Sequence, residues 1–521
     1  MSKAPELATA DLPPIVLPST DELPPLLQDS DFWTDDMVAA AGIQVHDVPF
    51  VSIGGGMGSF VTVNYLRVAG GVPASDIKVL SNLSHPWQTY EYLTRVSQLS
   101  RRQRIRSDSQ SRPDNLWGFP SYALQEALVK KSPKPLAQVL LEPVFADFYT
   151  PELDVVLKGI EREAGRIGYW DMLVQGEARL VRRRTGGGYY VLHAPRRPDG
   201  HNSGLIAFRA RDVHIAVGYS GLRFLPDLQD FRARMNDYHH VVNAYEDHEH
   251  VYEALRRKPG RVVIRGGGIV TSAVLHRLIE DRRKYGLHTE IVHVFRTFYE
   301  GKHGPNQWWR RRGKHGFAYQ GFNYPKSAWG GQLWSAMRRT EGDQRIKLYD
   351  LIGGTTTAWR RHWQEGLELA RREGWYRTQS GQMAGLRLDG DQVVARVNVP
   401  NGSLDIAADY VIDCTGLDGD VAEHRILGDL LEHGGAGRNP MGRLDVERTF
   451  ELRGSTNGMG MIYVSGAAAF GGYFPGVDTF LGLQIAAREI ADDLARRGMA
   501  RKMRPLRSIS QWTKWVRNRR V

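Results

Sequence analysis

The chain has one cysteine, Cys414, among 521 residues. A single thiol excludes both an intrachain disulfide and a dithiol redox pair. No apolar run is long enough to span a bilayer. Met1 to Leu27 is rich in proline and acidic residues but lacks a basic start followed by an apolar core, so it does not read as a secretory signal. No cluster of His, Cys and carboxylates has metal-ligand spacing, and no nucleophile–base pair is recognisable. Acidic residues are absent from the end of the chain: Arg496 to Val521 holds ten Lys or Arg and no Asp or Glu. Subtracting those ten from the net charge of +11 leaves about +1 for everything else, which argues against a protein-wide nucleic-acid surface.

What is present is ordinary for a globular protein, with 41% hydrophobic and 24% charged residues, and the length suggests two or three domains. Residues 1 to 46 read as an irregular leader, because Pro13, Pro14, Pro18, Pro24 and Pro25 oppose regular helix. Its apolar pairs Leu26-Leu27 and Phe32-Trp33 are candidates for packing on the body. Next, Val51-Ser-Ile53 predicts a buried strand, Gly54, Gly55 and Gly56 a tight turn, and Ser59 to Arg67 a helix. Such a unit turns backbone N–H groups toward a pyrophosphate at a helix N-terminus. The pattern is Gly-x-Gly-x-x-Ser, with Gly58 inside it and Ser59 in the third small position. A second strand, Ile77 to Leu80, ends at Ser81-Asn82, where dinucleotide folds often carry a ribose-binding acid. These shorter side chains are the candidates for that contact.

The polar stretch Arg104 to Tyr122 interleaves Ser, Asp and Asn with Trp117 and Phe119, a mixture suited to ligand contact, or to a surface loop anchored by its aromatics. A meander follows, with pieces Ala178–Arg183, Tyr189–His193 and Ile206–Arg209. The strand Val213 to Val217 then ends in small residues at Gly218. Arg261 to Ile264, Gly266-Gly-Gly268, a helix to about Tyr285 and the strand Glu290 to Phe295 form a second strand–glycine–helix–strand unit. Thr271 holds its third small position, and Arg296 ends the strand where an arginine favours a 2′-phosphate. From Phe298 to Trp363 a basic and aromatic mixture includes His303, Trp308, Trp309, Arg310 to Arg312, Lys314, His315, Tyr319, Tyr324, Trp329 and Trp334. It is open to three readings: a cofactor or substrate lid, a solvated loop on a packed aromatic base, or a stacking surface for single-stranded nucleic acid. The last is disfavoured. Strands resume at Met383–Leu388 and Val393–Val399, then Asp409 to Gly416 and Met461 to Ala467, before an amphipathic helix Thr479 to Arg496.

Two glycine units about 210 residues apart, each completed by a later strand ending in small residues, resemble flavoproteins with two dinucleotide-binding domains. The resemblance is closest to the flavin-containing and N-hydroxylating monooxygenases and runs from about residue 49 to 495. Gly54, Gly56 and Ser59 match the FAD turn; Ala216-Val-Gly218 resembles the first crossover; Leu225 to Val251, with His239-His240, resembles the linker into the NADPH domain. Gly266, Gly268, Thr271 and Ser272 match the NADPH turn, Arg296 its 2′-phosphate arginine, and Cys414-Thr-Gly416 the second crossover. Ser465-Gly-Ala467 through Gln484 resembles the closing FAD segment, although Ala467 stands where the family carries Asp. Asp478 is the candidate substitute.

The implied fold class is α/β, with two Rossmann-like dinucleotide-binding domains, the NAD(P)H domain inserted in the FAD domain. The expected boundaries are leader 1–46, FAD domain 47–255 and 401–495, NAD(P)H domain with its aromatic insert 256–400, and basic tail 496–521. The implied activity is NADPH-dependent oxygenation of a small-molecule nucleophile through a flavin C4a-(hydro)peroxide. The alternatives are an NAD(P)H-dependent flavin reductase and a non-catalytic nucleotide-binding scaffold. The lone cysteine excludes the branch that reduces disulfides through a cysteine pair. Expected FAD and NADP contacts are Gly54, Gly55, Gly56, Gly58, Ser59, Ser81, Asn82, Gly266, Gly268, Thr271, Ser272, Arg296, Gly466 and Asp478. Asn115, Asp114 and Trp117 are expected at the flavin face, with Asn115 as hydrogen-bonding residue; Ser107 and Arg112 are weaker candidates. A cytoplasmic enzyme is expected. Trp512 and Trp515 among basic residues make the tail a candidate anionic-lipid anchor, a solvated tail, or a segment docked on a partner.

Overall fold

The computed structural model describes residues 23, 25–145, 149–196, 204–302, 312–319, 332–352, 357 and 360–521. Strand β1 (Gln44–Ile53) carries apolar residues that become fully buried toward its end, at Val51, Ser52 and Ile53. After the glycine turn, helix α1 (Met57–Tyr65) is buried from Ser59 to Tyr65, because it is covered by sheet on one side and by a later helix on the other. Strand β2 (Ile77–Ser81) lies parallel to β1, with Phe50 opposite Ile77 and Ile53 opposite Leu80. Helices α2 (Tyr122–Lys130) and α3 (Leu153–Ile167) follow; α3 buries Val156, Leu157, Ile160, Ala164 and Ile167 at helical spacing.

Strand β3 (Leu173–Arg184) starts parallel to β2 and continues into an antiparallel meander with β4 (Tyr189–Pro195) and β5 (Ile206–Ile215). β5 returns alongside the whole of β1, from Gln44 opposite Ile206 to Ile53 opposite Ile215. The two strands expected at Ile206–Arg209 and Val213–Val217 are therefore one continuous strand, because both halves pair with the same long neighbour.

The second sheet repeats the plan. It runs β9-β8-β7-β13-β6, all parallel: β6 (Val241–Asn243), β7 (Arg261–Arg265), helix α4 (Ile269–Tyr285), β8 (Glu290–Phe295), β9 (Tyr376–Ser380), an antiparallel meander β10 to β12 (Gln382–Asp389, Gln392–Val399, Gly402–Ala408), and β13 (Tyr410–Asp413). One face buries Val274, Leu275, Leu278 and Ile279 of α4, and the other is covered by Met383, Leu386, Val393 and Val397 of the meander. The chain then rejoins the first sheet through β14 (Ile462–Val464), parallel to β5, and helix α5 (Phe480–Arg496) packs on α1.

Three expectations change. The second sheet takes β6 and β13, two strands that flank the 256–400 span expected for this unit. Parallel pairing of short strands decides this, and no local composition marks it. The leader is not irregular throughout: Phe32–Trp33 pairs with Arg183 and Arg184, Thr34 caps a short helix Asp35–Ala40, and Leu27, Trp33 and Val38 are buried. The third concerns the tail, which forms helix α6 (Pro505–Val516) docked on its own chain. The indole N–H groups of Trp512 and Trp515 donate to the carbonyls of Phe119 and Asp114 at 2.9 and 2.8 Å. The backbone N–H of Arg501 donates to Gly70, and that of Val521 to Arg166. Of the two tryptophans expected as a lipid anchor, Trp515 is thus buried inside the fold and Trp512 is half-buried with its N–H bonded to the body. Among the described residues no helix is long and apolar enough to cross a membrane.

Candidate functional site

The first glycine turn is built by three close approaches. Gly54 has φ +124°, and a Cβ there would lie 2.3 Å from the Ala216 carbonyl oxygen at the end of β5. On Gly55 (φ +63°) it would lie 2.2 Å from the Cβ of Ser81, and on Gly58 2.9 Å from the Cβ of Ala216. These glycines let β1, β2, β5 and α1 converge on one point. Gly56 is the N-cap of α1 with extended backbone and no side-chain cap, which leaves the first-turn N–H groups for a ligand.

Ser59 and Ser81 brace this turn from within. The Ser59 hydroxyl accepts from the Gly55 N–H at 3.2 Å and lies 2.8 Å from Ser52 Oγ. Ser52 Oγ lies 2.9 Å from His214 Nδ1, and His214 Nε2 lies 2.9 Å from Ser465 Oγ. A fully buried chain of hydroxyls and one imidazole thereby ties the glycine turn to β5 and to the closing segment. Burial alone holds the His214 pKa down at about 3, so the ring is neutral. Ser81 Oγ donates to the Gly54 carbonyl at 2.9 Å and accepts from the Leu83 N–H at 3.0 Å. Tyr169 donates its hydroxyl proton to the Gly55 carbonyl at 2.8 Å. Both hydroxyls are bonded inside the turn, so Ser59 and Ser81 have a structural part in it. Asn82 is exposed, and its side chain makes no hydrogen bond to a described residue. Ser81→Ala is expected to cost about 1–2 kcal/mol of stability through two lost hydrogen bonds. Urea unfolding of the protein without added flavin would measure it; unchanged stability combined with weakened flavin retention would instead favour Ser81 as a ribose contact.

The polar loop is a sealed support. Arg112 holds Asp114 bidentately at 3.1 and 2.8 Å, both side chains almost fully buried, and Tyr122 donates to the same carboxylate at 3.3 Å. Asn115 accepts the Trp117 backbone N–H at 2.8 Å and donates to the Phe119 carbonyl at 3.2 Å. Gln484 on α5 donates to the carbonyls of Arg112 and Asn115. Ion pairing and turn formation thus engage the polar atoms of Asp114 and Asn115, which gives both residues a part in building the loop. Trp117, partly buried, donates to Ser508 Oγ of the tail at 2.8 Å. Ser107 and Arg112 are also buried.

In the second turn Gly266 has φ +128°, and a Cβ would lie 2.9 Å from the Cys414 carbonyl oxygen that ends β13. Gly268 is the N-cap of the 17-residue helix α4, again without a side-chain cap. Thr271 is buried, while Ser272 Oγ donates to the Ile269 carbonyl at 2.7 Å and lies 3.0 Å from Thr357 Oγ1. Arg296 is exposed at the end of β8 with no ion pair to a described residue. In the insert, His303, Trp308 to Arg311, Tyr324 and Trp329 lie outside the described residues. His315 and Tyr319 are buried against Arg371 and Gln364 rather than displayed for stacking. Gly466 has φ +74° with open space beside it, its nearest neighbour being Leu483 at 3.8 Å. Asp478 is exposed and accepts from Tyr219 at 2.6 Å, so it joins the closing segment to the first crossover. Both turns thus present the uncapped helix starts that pyrophosphates fit, and the first lacks a ribose carboxylate. Sequence reading missed Ser52, His214, Ser465, Tyr169 and Gln484; the histidine within the apolar run Val213–Val217 was the available signal.

No protein-family model and no curated protein matches the sequence. Solved structures do share the fold. The ornithine N-hydroxylase of Kutzneria sp. 744, described with reduced FAD, NADP+ and L-ornithine, is 13% identical with a TM-score of 0.63, covering 87% of this chain and 100% of that one. The ornithine hydroxylase of Pseudomonas aeruginosa is 13% identical with a TM-score of 0.61 over the same shares. The bacillithiol disulfide reductase of Bacillus cereus is 14% identical with a TM-score of 0.50, covering 87% and 100%. The chain therefore has the α/β fold of two Rossmann-like units found in flavin-dependent N-hydroxylases.

Proposed function

We propose that the protein is an NADPH-dependent flavoprotein monooxygenase acting on a small-molecule nucleophile, with an amine nitrogen first among the candidates. The observation that carries this reading is the pair of uncapped glycine turns, Gly54–Gly58 and Gly266–Gly268, on two parallel sheets within one chain. In this reading the N-terminus of α1 and Gly466 hold FAD, and the N-terminus of α4 holds NADP(H), with exposed Arg296 taking the 2′-phosphate. Bound FAD would accept hydride from NADPH and deliver electrons to O2. The chain's own part is to orient and to exclude water. Arg112, Asp114 and Asn115 fix the loop that carries Trp117, and Gln484 ties this loop to α5. The fold neighbours named as ornithine hydroxylases support an amine substrate.

The fold is also that of an enzyme named as a disulfide reductase, which keeps the reductase alternative open. Cys414 does not serve such a route: it is the sole cysteine, it is buried, and burial pushes its thiol pKa far up. The test is the visible spectrum of the purified protein supplied with FAD, followed by NADPH oxidation with and without O2 and with candidate amines. The expected result is flavin absorbance and O2 consumption coupled to oxygenated product. NADPH oxidation that is independent of O2 would select the reductase, and a colourless protein would select the scaffold.

A further inference from the structure

Helix α6 uses one face to hold the body and leaves the other without a partner among the described residues. On the inner face Gln511 and Trp515 are buried. Trp515 donates to the Asp114 carbonyl, Ser508 Oγ accepts from Trp117, and Arg507 donates to the Val68 carbonyl at 3.3 Å. On the outer face Leu506, Ile509 and Val516 are 84%, 63% and 49% exposed. Helical spacing places these three along one stripe, with Thr513 between the last two. Trp512 lies one turn from both Ile509 and Val516, and Phe119, 56% exposed, stacks on its ring at 6.3 Å. Single exposed leucines are ordinary on a protein surface, whereas an aligned apolar stripe extended by an aromatic marks an interaction surface.

The border of this stripe carries one sign of charge. Arg501, Lys502, Arg504, Arg517, Arg519 and Arg520 are exposed, and none has an ion pair with a described carboxylate. Arg496 and Arg497, at the end of α5, are paired with Asp493 and Asp212. No Asp or Glu follows Arg496 in the sequence.

We propose that α6 is an interfacial anchor, which lays its outer face on an anionic lipid surface. Leu506, Ile509, Val516 and Phe119 enter the boundary between headgroups and acyl chains, and the surrounding cations meet lipid phosphates. At 12 residues the helix is too short to cross a bilayer, which takes about 20, so it lies on the surface. Its inner face already fixes it as a helix, so binding requires no further ordering of the chain. Other occupants match the face less well. Two copies meeting through it would oppose like charges. Protein interfaces are depleted in lysine and mix both signs at the rim. A nucleic acid would satisfy the cations but leave the aliphatic stripe in water, and Trp515 is buried away from stacking. The proposal goes beyond the monooxygenase reading and does not depend on it.

The experiment sediments the full-length protein with vesicles of phosphatidylcholine, with and without phosphatidylglycerol. Four proteins are compared: wild type, Leu506→Ser with Ile509→Ser, Lys502→Gln with Arg517→Gln, and Leu404→Ser, an exposed apolar position on β12 that serves as control. Wild type is expected to bind the anionic vesicles, and the neutral ones about tenfold more weakly or less. Each double variant is expected to lose about tenfold or more of the affinity, and Leu404→Ser none. All six substituted side chains stand on the surface, and unchanged denaturation midpoints would show that the variants fold. Absence of wild-type binding to the anionic vesicles would overturn the anchor. So would equal binding by Leu506→Ser with Ile509→Ser, since charge alone would then account for the contact, as for any polyanion. A dimer that dissociates in that variant, without vesicle binding by wild type, would assign the stripe to a second copy instead. Vesicle binding requires no flavin and no turnover, so failure here and failure of the monooxygenase reading are distinguishable.

Discussion

Trp515→Ala is expected to destabilise the whole protein by about 3–5 kcal/mol, the range for truncating a large buried aromatic. The residue lies near the end of the chain, yet it is 4% exposed. Its indole N–H donates to the Asp114 carbonyl, and its ring lies 5.3 Å from the Arg112 guanidinium and 4.4 Å from that of Arg162. Beneath it the Arg112–Asp114 pair is closed to solvent. A buried pair contributes when both partners stay fully bonded and costs free energy when water or a cavity disturbs it. Removing the indole opens a cavity against that pair and leaves the Asp114 carbonyl without its donor. Trp512→Ala, in a half-buried position where Phe119 stacks on the ring, is expected to cost about 1 kcal/mol. Guanidinium unfolding of the two variants measures both values. A Trp515→Ala change below that of Trp512→Ala would show that the tail rests on the body without supporting it.

Acidification below neutral pH is expected to weaken the fold through three buried histidines, partly offset by Glu163 and Asp413, whose pKa values burial raises to about 7 and about 6 and which therefore add stability as pH falls. His214 and His293 are fully buried with pKa values lowered from 6.5 to about 3, and His193 is buried with its value lowered to about 4. Burial is the main cause for all three. Their neutral rings are bonded: His214 to Ser52 and Ser465, His293 to Tyr376 and the Gly266 carbonyl. Because the unfolded chain binds protons at a higher pH than the folded one, the stability these rings contribute is complete above pH 6.5. It is lost as pH falls from there toward 4 and below. At pH 5 each costs about 2 kcal/mol relative to neutral pH. Denaturation midpoints between pH 8 and pH 5 measure the loss, and His214→Asn should flatten the slope even if it lowers the midpoint at pH 8. A curve that stays level down to pH 5 would contradict this.

His214 and His293 stand in different strands of the two units, His214 in β5, which ends at the first crossover, and His293 in β8, which follows the helix of the second glycine turn. His293 Nε2 lies 2.6 Å from the carbonyl of Gly266, and His214 reaches the first turn through Ser52 and Ser59. Acid loosening should therefore reach both glycine turns.

Much of this was legible in the residues themselves. Glycine positions such as Gly54 and Gly266 announce a backbone conformation, and the apolar runs before them announce buried strands; both signals are local. The paired units, their crossovers and the closing helix α5 followed from them. The roles of individual polar residues did not. Ser59 and Ser81 occupy the positions expected of ligand contacts, and only the fold shows that their hydroxyls also bond within the turn. Asp114 and Asn115 looked chemically available, although Arg112, Trp117, Phe119 and Tyr122, which engage their polar atoms, lie close by in the chain. Their burial comes from α3, from Gln484 on α5, and from Trp515, which lies 401 positions beyond Asp114.

The sequence by itself determined the two dinucleotide-type units, the single cysteine and the basic stretch from Arg496. Only the tertiary structure decided that the basic end is folded onto the polar loop, and that the short strands β6 and β13 belong to the second sheet. The physical reason is the same in each case. Turn conformation and periodic burial are encoded within a few residues, whereas charge pairing, hydrogen-bond satisfaction and enclosure from solvent depend on groups far apart in the chain and exist only once it has closed on itself.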